Sequence, residues 1–229
     1  KLDVDPATFP GPLVLPDDDL SLDPEYPPQS LREWLEEEDR NEVTSKRNVV
    51  YVAAPPGLDA EDESVHDWTQ PQLSGSGGAV QFPCVQDIVD YLAAFYHGIA
   101  VKVLPPSTFR FQNWGGGKKK NKSRGRKVVP KDPHRVGLAN SDECFGVRTR
   151  TSKDGLFARQ LNLDDILDAA IATLPDDAYA LLLILNHDIF ENDDDFACGR
   201  AYGGSRVAVV STARYNPLLD DVQNVEQEH

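Results

Sequence analysis

Residues 180–212 read ALLLILNHDIFENDDDFACGRAYGGSRVAVVST and contain three apolar runs. The run at 180–185 is the most apolar of the chain, which predicts a central strand. Two further runs, at 196–201 and 206–212, flank the sequence YGGS at 202–205. A Gly-Gly pair is a strong hairpin signal because both positions can adopt positive φ. We therefore expect the last two strands to be antiparallel neighbours.

Two earlier segments complete the expected sheet. The runs NVVYVAA at 48–54 and IAVKVL at 99–104 each end at a Pro-Pro pair, as buried strands often do. Apolar residues recur at helical spacing between them, over 83–98, and again in LDDILDAAIATL after Asn162. Strand, helix, strand favours parallel pairing with a right-handed crossover. The sequence thus predicts an α/β fold with a mixed, mostly parallel five-stranded sheet and flanking helices.

The strand at 196–201 is expected at an edge of this sheet, because it is the odd antiparallel member. An open edge strand has unpaired backbone groups, which can pair with an extended peptide. The alternative is an edge that a loop merely covers.

Two regions are expected along the 229 residues. Residues 1–46 hold many prolines and aspartates and then LREWLEEEDR, which predicts an extended arm followed by a short acidic helix capped by Ser30. Residues 47–229 then form one subdomain, with a basic insertion near 107–143. Residues 57–81 are polar, acidic and rich in glycine, so we expect a surface loop there.

The charge is distributed unevenly. The net charge is −15, yet residues 115–131 hold eight basic and no acidic side chains, which leaves 38 acidic against 15 basic residues elsewhere. A strongly acidic body repels phosphates, so general nucleic-acid binding is not expected. The basic run itself is either a nuclear-import-like or RNA-contacting loop or a low-complexity insertion.

Other classes are excluded by simple counts. No apolar run approaches the roughly 18 residues of a membrane span, so no membrane association is expected. The three cysteines do not form a disulfide framework. We therefore expect a cytoplasmic protein, with the nucleus as the alternative. The five histidines, at 66, 97, 134, 187 and 229, include no pair four apart, so no helix presents a histidine pair to a metal.

Five segments together resemble the eukaryotic archaemetzincins, a family of zinc metallopeptidases. They are, in chain order, FPGPLVLPDDDLSLDPEYPPQSLREWL, VVYVAAPP, VQDIVDYLAAFYHGIAVKVLPP, ARQLNLDDIL with LPDDAYALLLILNHDIF, and FACGRAYGGSRVAVVSTARY. Each is moderately specific alone, and the shared order makes the case stronger. The resemblance covers most of the chain outside 57–81 and 107–143.

The resemblance implies a zinc-dependent hydrolase of peptides or proteins, of aminopeptidase type or limited specificity. It implies that this chain is the upper subdomain of a metzincin-like fold, above the active-site cleft. The antiparallel edge strand of such folds lines the cleft and pairs with extended substrate. The matching residues are Phe196, Ala197, Cys198, Gly199, Arg200 and Ala201. Their backbone is the expected substrate contact, and the Arg200 side chain either meets acidic substrate groups or lies at the surface.

The chain departs from the family at its defining motif, HExxHxxGxxHCxxxxCxM, which is absent. In that motif three histidines hold zinc and the glutamate acts as general base. No catalytic or metal-binding residue is therefore assigned, and this chain alone should be inactive. We expect the N-terminal piece of a longer metallopeptidase, whose C-terminal catalytic half would be its partner and would carry the zinc. The alternative is a non-catalytic peptide-binding or interaction module that retains the edge strand.

Overall fold

The computed structural model of the protein describes residues 30–38, 40–58, 63–73, 82–114 and 135–219. Its helices are α1 (Leu31–Glu36), α2 (Glu63–Asp67), α3 (Val85–Phe95) and α4 (Leu163–Ala172). Its strands are β1 (Val49–Ala53), β2 (Gly57–Leu58), β3 (Ala100–Val103), β4 (Arg110–Gln112), β5 (Arg135–Ala139), β6 (Cys144–Arg150), β7 (Gln160–Asn162), β8 (Ala178–Leu185), β9 (Ile189–Phe190), β10 (Gly199–Tyr202) and β11 (Val207–Ser211). The expected arm at 1–29 and the basic run at 115–131 lie outside the described residues.

The chain divides into two units, residues 1–40 and residues 41–229. In the first unit, α1 starts with a reciprocal capping box. The Glu33 amide donates to Ser30 Oγ at 3.2 Å, and the Ser30 amide donates to the Glu33 carboxylate at 2.7 Å. These bonds satisfy two amides that a helix start otherwise leaves unpaired. The predicted short helix capped by Ser30 is therefore confirmed.

The first sheet of the second unit has the strand order β10-β11-β8-β1-β3. Its strands pair in parallel, except that β10 is antiparallel to β11. This confirms the predicted mixed, mostly parallel five-stranded sheet and the hairpin between its last two strands. The strand β8 lies at the centre because Leu181, Leu183 and Leu185 are fully buried there.

The two longer helices cover opposite faces of this sheet. On one face, α3 places Val89 and Leu92 against Val52 and Ile184. On the other face, α4 begins at Asn162, whose side-chain oxygen accepts from the Asp165 amide at 3.1 Å. The buried side of α4 joins a core that continues into a second sheet; its members include Leu163, Ile166, Leu167 and Ala170.

That second sheet has six strands, in the order β2-β4-β5-β6-β7-β9, and was not predicted from the sequence. The described residues thus form a mixed α/β fold with two sheets, and not a single sheet with helices. The strands β4 and β5 lie within the segment that was expected to be an insertion, 107–143. Phe111 and Leu138 from these strands are fully buried in the common core. Part of that segment is therefore structural.

The expected surface loop at 57–81 is also partly wrong. Its described residues contain β2 and α2, and Val65 and Trp68 are buried against the main core. The two side chains are three apart, so the end of α2 and the turn that follows it present both to the core. A single apolar pair in an acidic stretch does not establish a helical period, so the sequence could not predict α2.

Candidate functional site

The candidate site is centred on β10, which lies at the edge of the first sheet. It pairs with β11 on one side and, among the described residues, with no strand on the other. Gly199 and Ala201 are exposed there. The predicted edge position is thus what the structure has, although the strand begins at Gly199 and not at Phe196.

The backbone groups of β10 alternate between the partner strand and the open side. The Ser211 amide donates to the Cys198 carbonyl at 2.8 Å, and the Arg206 amide donates to the Tyr202 carbonyl at 2.8 Å. Alternate residues of an antiparallel strand face the same neighbour, so Cys198, Arg200 and Tyr202 direct their amides and carbonyls toward β11. Gly199 and Ala201 therefore direct theirs outward.

The first three predicted site residues lie elsewhere than on this open edge. The Ala197 amide donates to the Ile189 carbonyl at 2.9 Å, so Ala197 forms a bridge to β9. The Cys198 side chain is half-buried and hydrogen-bonds to Tyr215. Phe196 is 43% exposed, and its ring packs on the Arg214 guanidinium. Of the six residues, Gly199, Arg200 and Ala201 thus lie in β10, and Gly199 and Ala201 direct their backbone groups to its open side.

Gly199 is required by the close approach of β10 to its partner. A Cβ atom at this position would lie 2.3 Å from the Val209 carbonyl oxygen and 3.0 Å from Val210 Cα. Any side chain would therefore collide with the backbone of β11 and push the edge strand away. This close packing explains why residue 199 is a glycine, and the explanation requires no functional role for the residue.

Arg200 is held by acidic neighbours within the protein. Its Nη1 forms an ion pair with Glu191, and its Nη2 lies 3.3 Å from the Asp164 carboxylate. The guanidinium also stacks on Tyr202, 4.3 Å from the ring centroid. The structure therefore favours the surface role of Arg200 over direct contact with an acidic substrate group.

A groove of about 350 Å³ lies beside β10, on the face of the sheet that α3 covers in part. Its floor consists of small or branched apolar side chains from four adjacent strands: Val50, Ala180, Leu182, Ala208 and Ala201. Leu92 and Tyr96, at the end of α3, form one wall. Strand β10 thus combines outward backbone groups with an adjacent apolar depression, and sequence reasoning did not find the latter.

A buried polar network fills the opposite end of the sheet, where β8 and β11 end. Arg214 binds Asp188 through Nε and Nη2 at 2.8 and 2.5 Å, and Asp154 through Nη1 at 2.5 Å. Burial alone would raise the pKa of Asp154, but hydrogen bonds from Arg214 and Ser152 lower it to about 2. Because Arg214 also packs on Phe196, the network fixes the segment that leads into β10.

His187 lies at the same end, fully enclosed between α2 and the second sheet. Its Nε2 donates to the Val65 carbonyl at 2.9 Å, and its ring packs edge-on against Phe111. Burial lowers the pKa of His187 to about 4, with the nearby charge of His66 acting in the same direction. The ring is therefore neutral at neutral pH and supports α2; within the part of the chain that the structure describes, no acidic side chain contacts it as in a catalytic dyad.

Metal-binding chemistry is not built into this part of the protein. Across the described ranges, no three His, Cys, Asp or Glu residues lie together as metal ligands would. The residues present thus do not fit a zinc ion.

None of the described helices has the length and apolar character of a membrane span. No protein-family model, curated protein or solved structure matches the chain.

Proposed function

We propose that β10 binds an extended peptide by strand addition, and that the chain is the substrate-facing part of an archaemetzincin-like zinc metallopeptidase. The observation that carries the proposal is the outward edge of Gly199 and Ala201, which has no strand partner among the described residues. Main-chain hydrogen bonds supply the affinity in this mode of recognition, and alternate side chains supply the specificity.

The chemistry of β10 suits such a ligand. Its four residues span roughly 13 Å at about 3.3 Å per residue, which accommodates about four residues of peptide. The two positions whose backbone groups point outward carry hydrogen and methyl side chains, which are too small to fold over the edge and cover those groups. The groove beside Ala201 then receives side chains from one face of the added strand.

The other edge of the sheet is less suitable. Strand β3 carries the exposed Lys102, whose ammonium lies 6.0 Å from the Tyr51 ring centroid. Lysine on an edge strand is a common means of preventing unwanted pairing. The proposal therefore concerns β10 alone.

Zinc enters the proposal only through the family resemblance. The described residues do not fit the ion, so no catalytic step is assigned to them. In the proposed enzyme, zinc would supply the activated water, and the residues described here would bind and orient the peptide. A non-catalytic peptide-binding module would use the same edge in the same way.

The binding test compares wild type with Ala201→Pro and Ala201→Ser, using peptides blocked at both ends and labelled for fluorescence anisotropy. Proline removes the outward amide but no hydrogen bond to β11, so the fold should persist while binding falls at least tenfold. The Ala201→Ser variant keeps the backbone amide and should bind the peptides as tightly as wild type does. Equal binding by all three proteins, or no binding by wild type, would refute the proposal.

Metal analysis distinguishes a zinc metallopeptidase from a non-catalytic peptide-binding module. The intact parent protein of an enzyme should contain stoichiometric zinc and cleave the peptides that bind at β10, and a chelator should abolish cleavage but not binding. A parent protein that binds the peptides without zinc and without cleavage would establish the module instead.

A further inference from the structure

The groove beside β10 has a cation at its rim that no acidic side chain of the described residues neutralises. Arg206 lies in the hairpin turn, and its Nη1 donates to the Ala178 carbonyl at 2.5 Å. Among the described residues, no carboxylate lies within 4.0 Å of its guanidinium, whereas Arg200 and Arg214 each have two acidic partners. The chain has 38 acidic residues, so a shortage of carboxylates does not explain the difference.

A guanidinium that uses one donor for a backbone carbonyl keeps its other N–H groups for a ligand. Arginine matches a carboxylate with two parallel hydrogen bonds, which are stronger than bonds between neutral groups. The Arg206 side chain is half-buried at the end of an apolar groove. Rim and floor together fit a ligand with an apolar body and a carboxylate at one end.

Asn41 gives a second indication that a polar group belongs in the groove. Its Nδ2 donates to the Tyr179 carbonyl at 2.9 Å, and both residues line the groove. Its Oδ1 is buried and has no donor among the described residues. A buried acceptor without a donor is costly, and a ligand N–H that reached it would remove that cost.

We propose that this groove binds the C-terminal residue of a peptide, with an apolar side chain on the floor and the α-carboxylate on Arg206. The inference rests on the proposed function, because the rest of the peptide pairs with β10. Strand β10 runs toward the hairpin, so a peptide aligned parallel to β10 has its C-terminus at the end of the sheet where Arg206 bonds to Ala178, at the start of β8. The volume of about 350 Å³ is sufficient for one large apolar residue.

The test uses N-terminally labelled hexapeptides that end in phenylalanine, as the free acid and as the amide. Wild type should bind the acid at least tenfold more tightly than the amide, since a bidentate charged pair is lost on amidation. Arg206→Gln should bind acid and amide equally. The matched control is Arg135→Gln, because Arg135 also donates to a backbone carbonyl, that of Gly146 at 2.8 Å, on the other sheet. It should keep the wild-type preference.

A variant of the floor provides an independent test. Ala208→Leu narrows the groove and should weaken the peptide that ends in phenylalanine at least tenfold relative to one that ends in alanine. Equal wild-type affinity for acid and amide would overturn the inference, and the proposed function would survive if Ala201→Pro still abolished binding. No binding of any peptide would overturn both.

Discussion

The two ends of the first sheet differ in how their arginine side chains are partnered. Where β8 and β11 end, Arg214 is buried between Asp188 and Asp154, and each of its hydrogen-bonding groups meets a partner within the fold. Toward the hairpin end, Arg206 lines an open groove, and the backbone groups of Gly199 and Ala201 point out of the neighbouring sheet edge. The first arrangement holds the protein together. The second leaves donors that a ligand can use, and this difference separates structural polar groups from candidate binding groups.

The largest effect is expected from Arg214→Ala. Removing the guanidinium leaves Asp188, which is 0% exposed, buried without its counter-ion. The free energy of unfolding should fall by about 3–5 kcal/mol. Arg206→Gln, which loses one hydrogen bond at the groove rim, should cost about 1 kcal/mol. Urea denaturation of both variants measures the contrast, and equal losses would show that the two ends do not differ as described.

A pH effect of about 3 kcal/mol is expected from His187. Its pKa is about 4 in the fold against 6.5 for a free histidine, so the unfolded chain takes up a proton before the folded chain does. The stability that the neutral ring provides is therefore complete above pH 6.5 and is lost as the pH falls from 6.5 to 4.

His187→Gln should remove this dependence, because glutamine can still donate to the Val65 carbonyl but does not titrate. The measurement is the difference in unfolding free energy between wild type and variant at pH 7 and pH 5. A difference that does not change between these two values would contradict a neutral, buried ring.

Gly199→Ala is expected to cost about 1–3 kcal/mol, since its Cβ would overlap the Val209 carbonyl and displace β10. Gly203→Ala is the matched control, because a Cβ there meets nothing within 4 Å. Thermal denaturation compares the two. If both alanines are neutral, β10 does not pack on β11 as closely as described, and the open edge is less well defined.

The first sheet was predictable because its strands lie in apolar runs and two glycines mark its hairpin, although the turn spans residues 203–206 and the positive φ is at Arg206. The second sheet was not, since four of its six strands have only two or three residues and β6 is interrupted by charge at Arg148 and Arg150. Arg148 is accommodated by bonds to the Asp165 carboxylate and to Asn162. Partners so distant in sequence cannot be inferred from a local pattern.

The candidate site was predictable in part for the same reason. The edge position of the antiparallel strand followed from the hairpin, but an apolar run at 196–198 hid the change of partner at Ala197. Arg206 was not predicted as a binding residue, because a single arginine forms no sequence motif. Arg206 is a candidate binding residue because no carboxylate of the described residues lies near its guanidinium. That absence can be seen only in the tertiary structure.

The central claim is that an extended peptide adds to the outward edge of β10. Amide hydrogen exchange with and without a saturating blocked peptide tests it most directly. We expect the amides of Gly199 and Ala201 to gain protection, while those of Arg200 and Tyr202, which already face β11, change little. Protection that appears elsewhere, with Gly199 and Ala201 unchanged, would contradict the account.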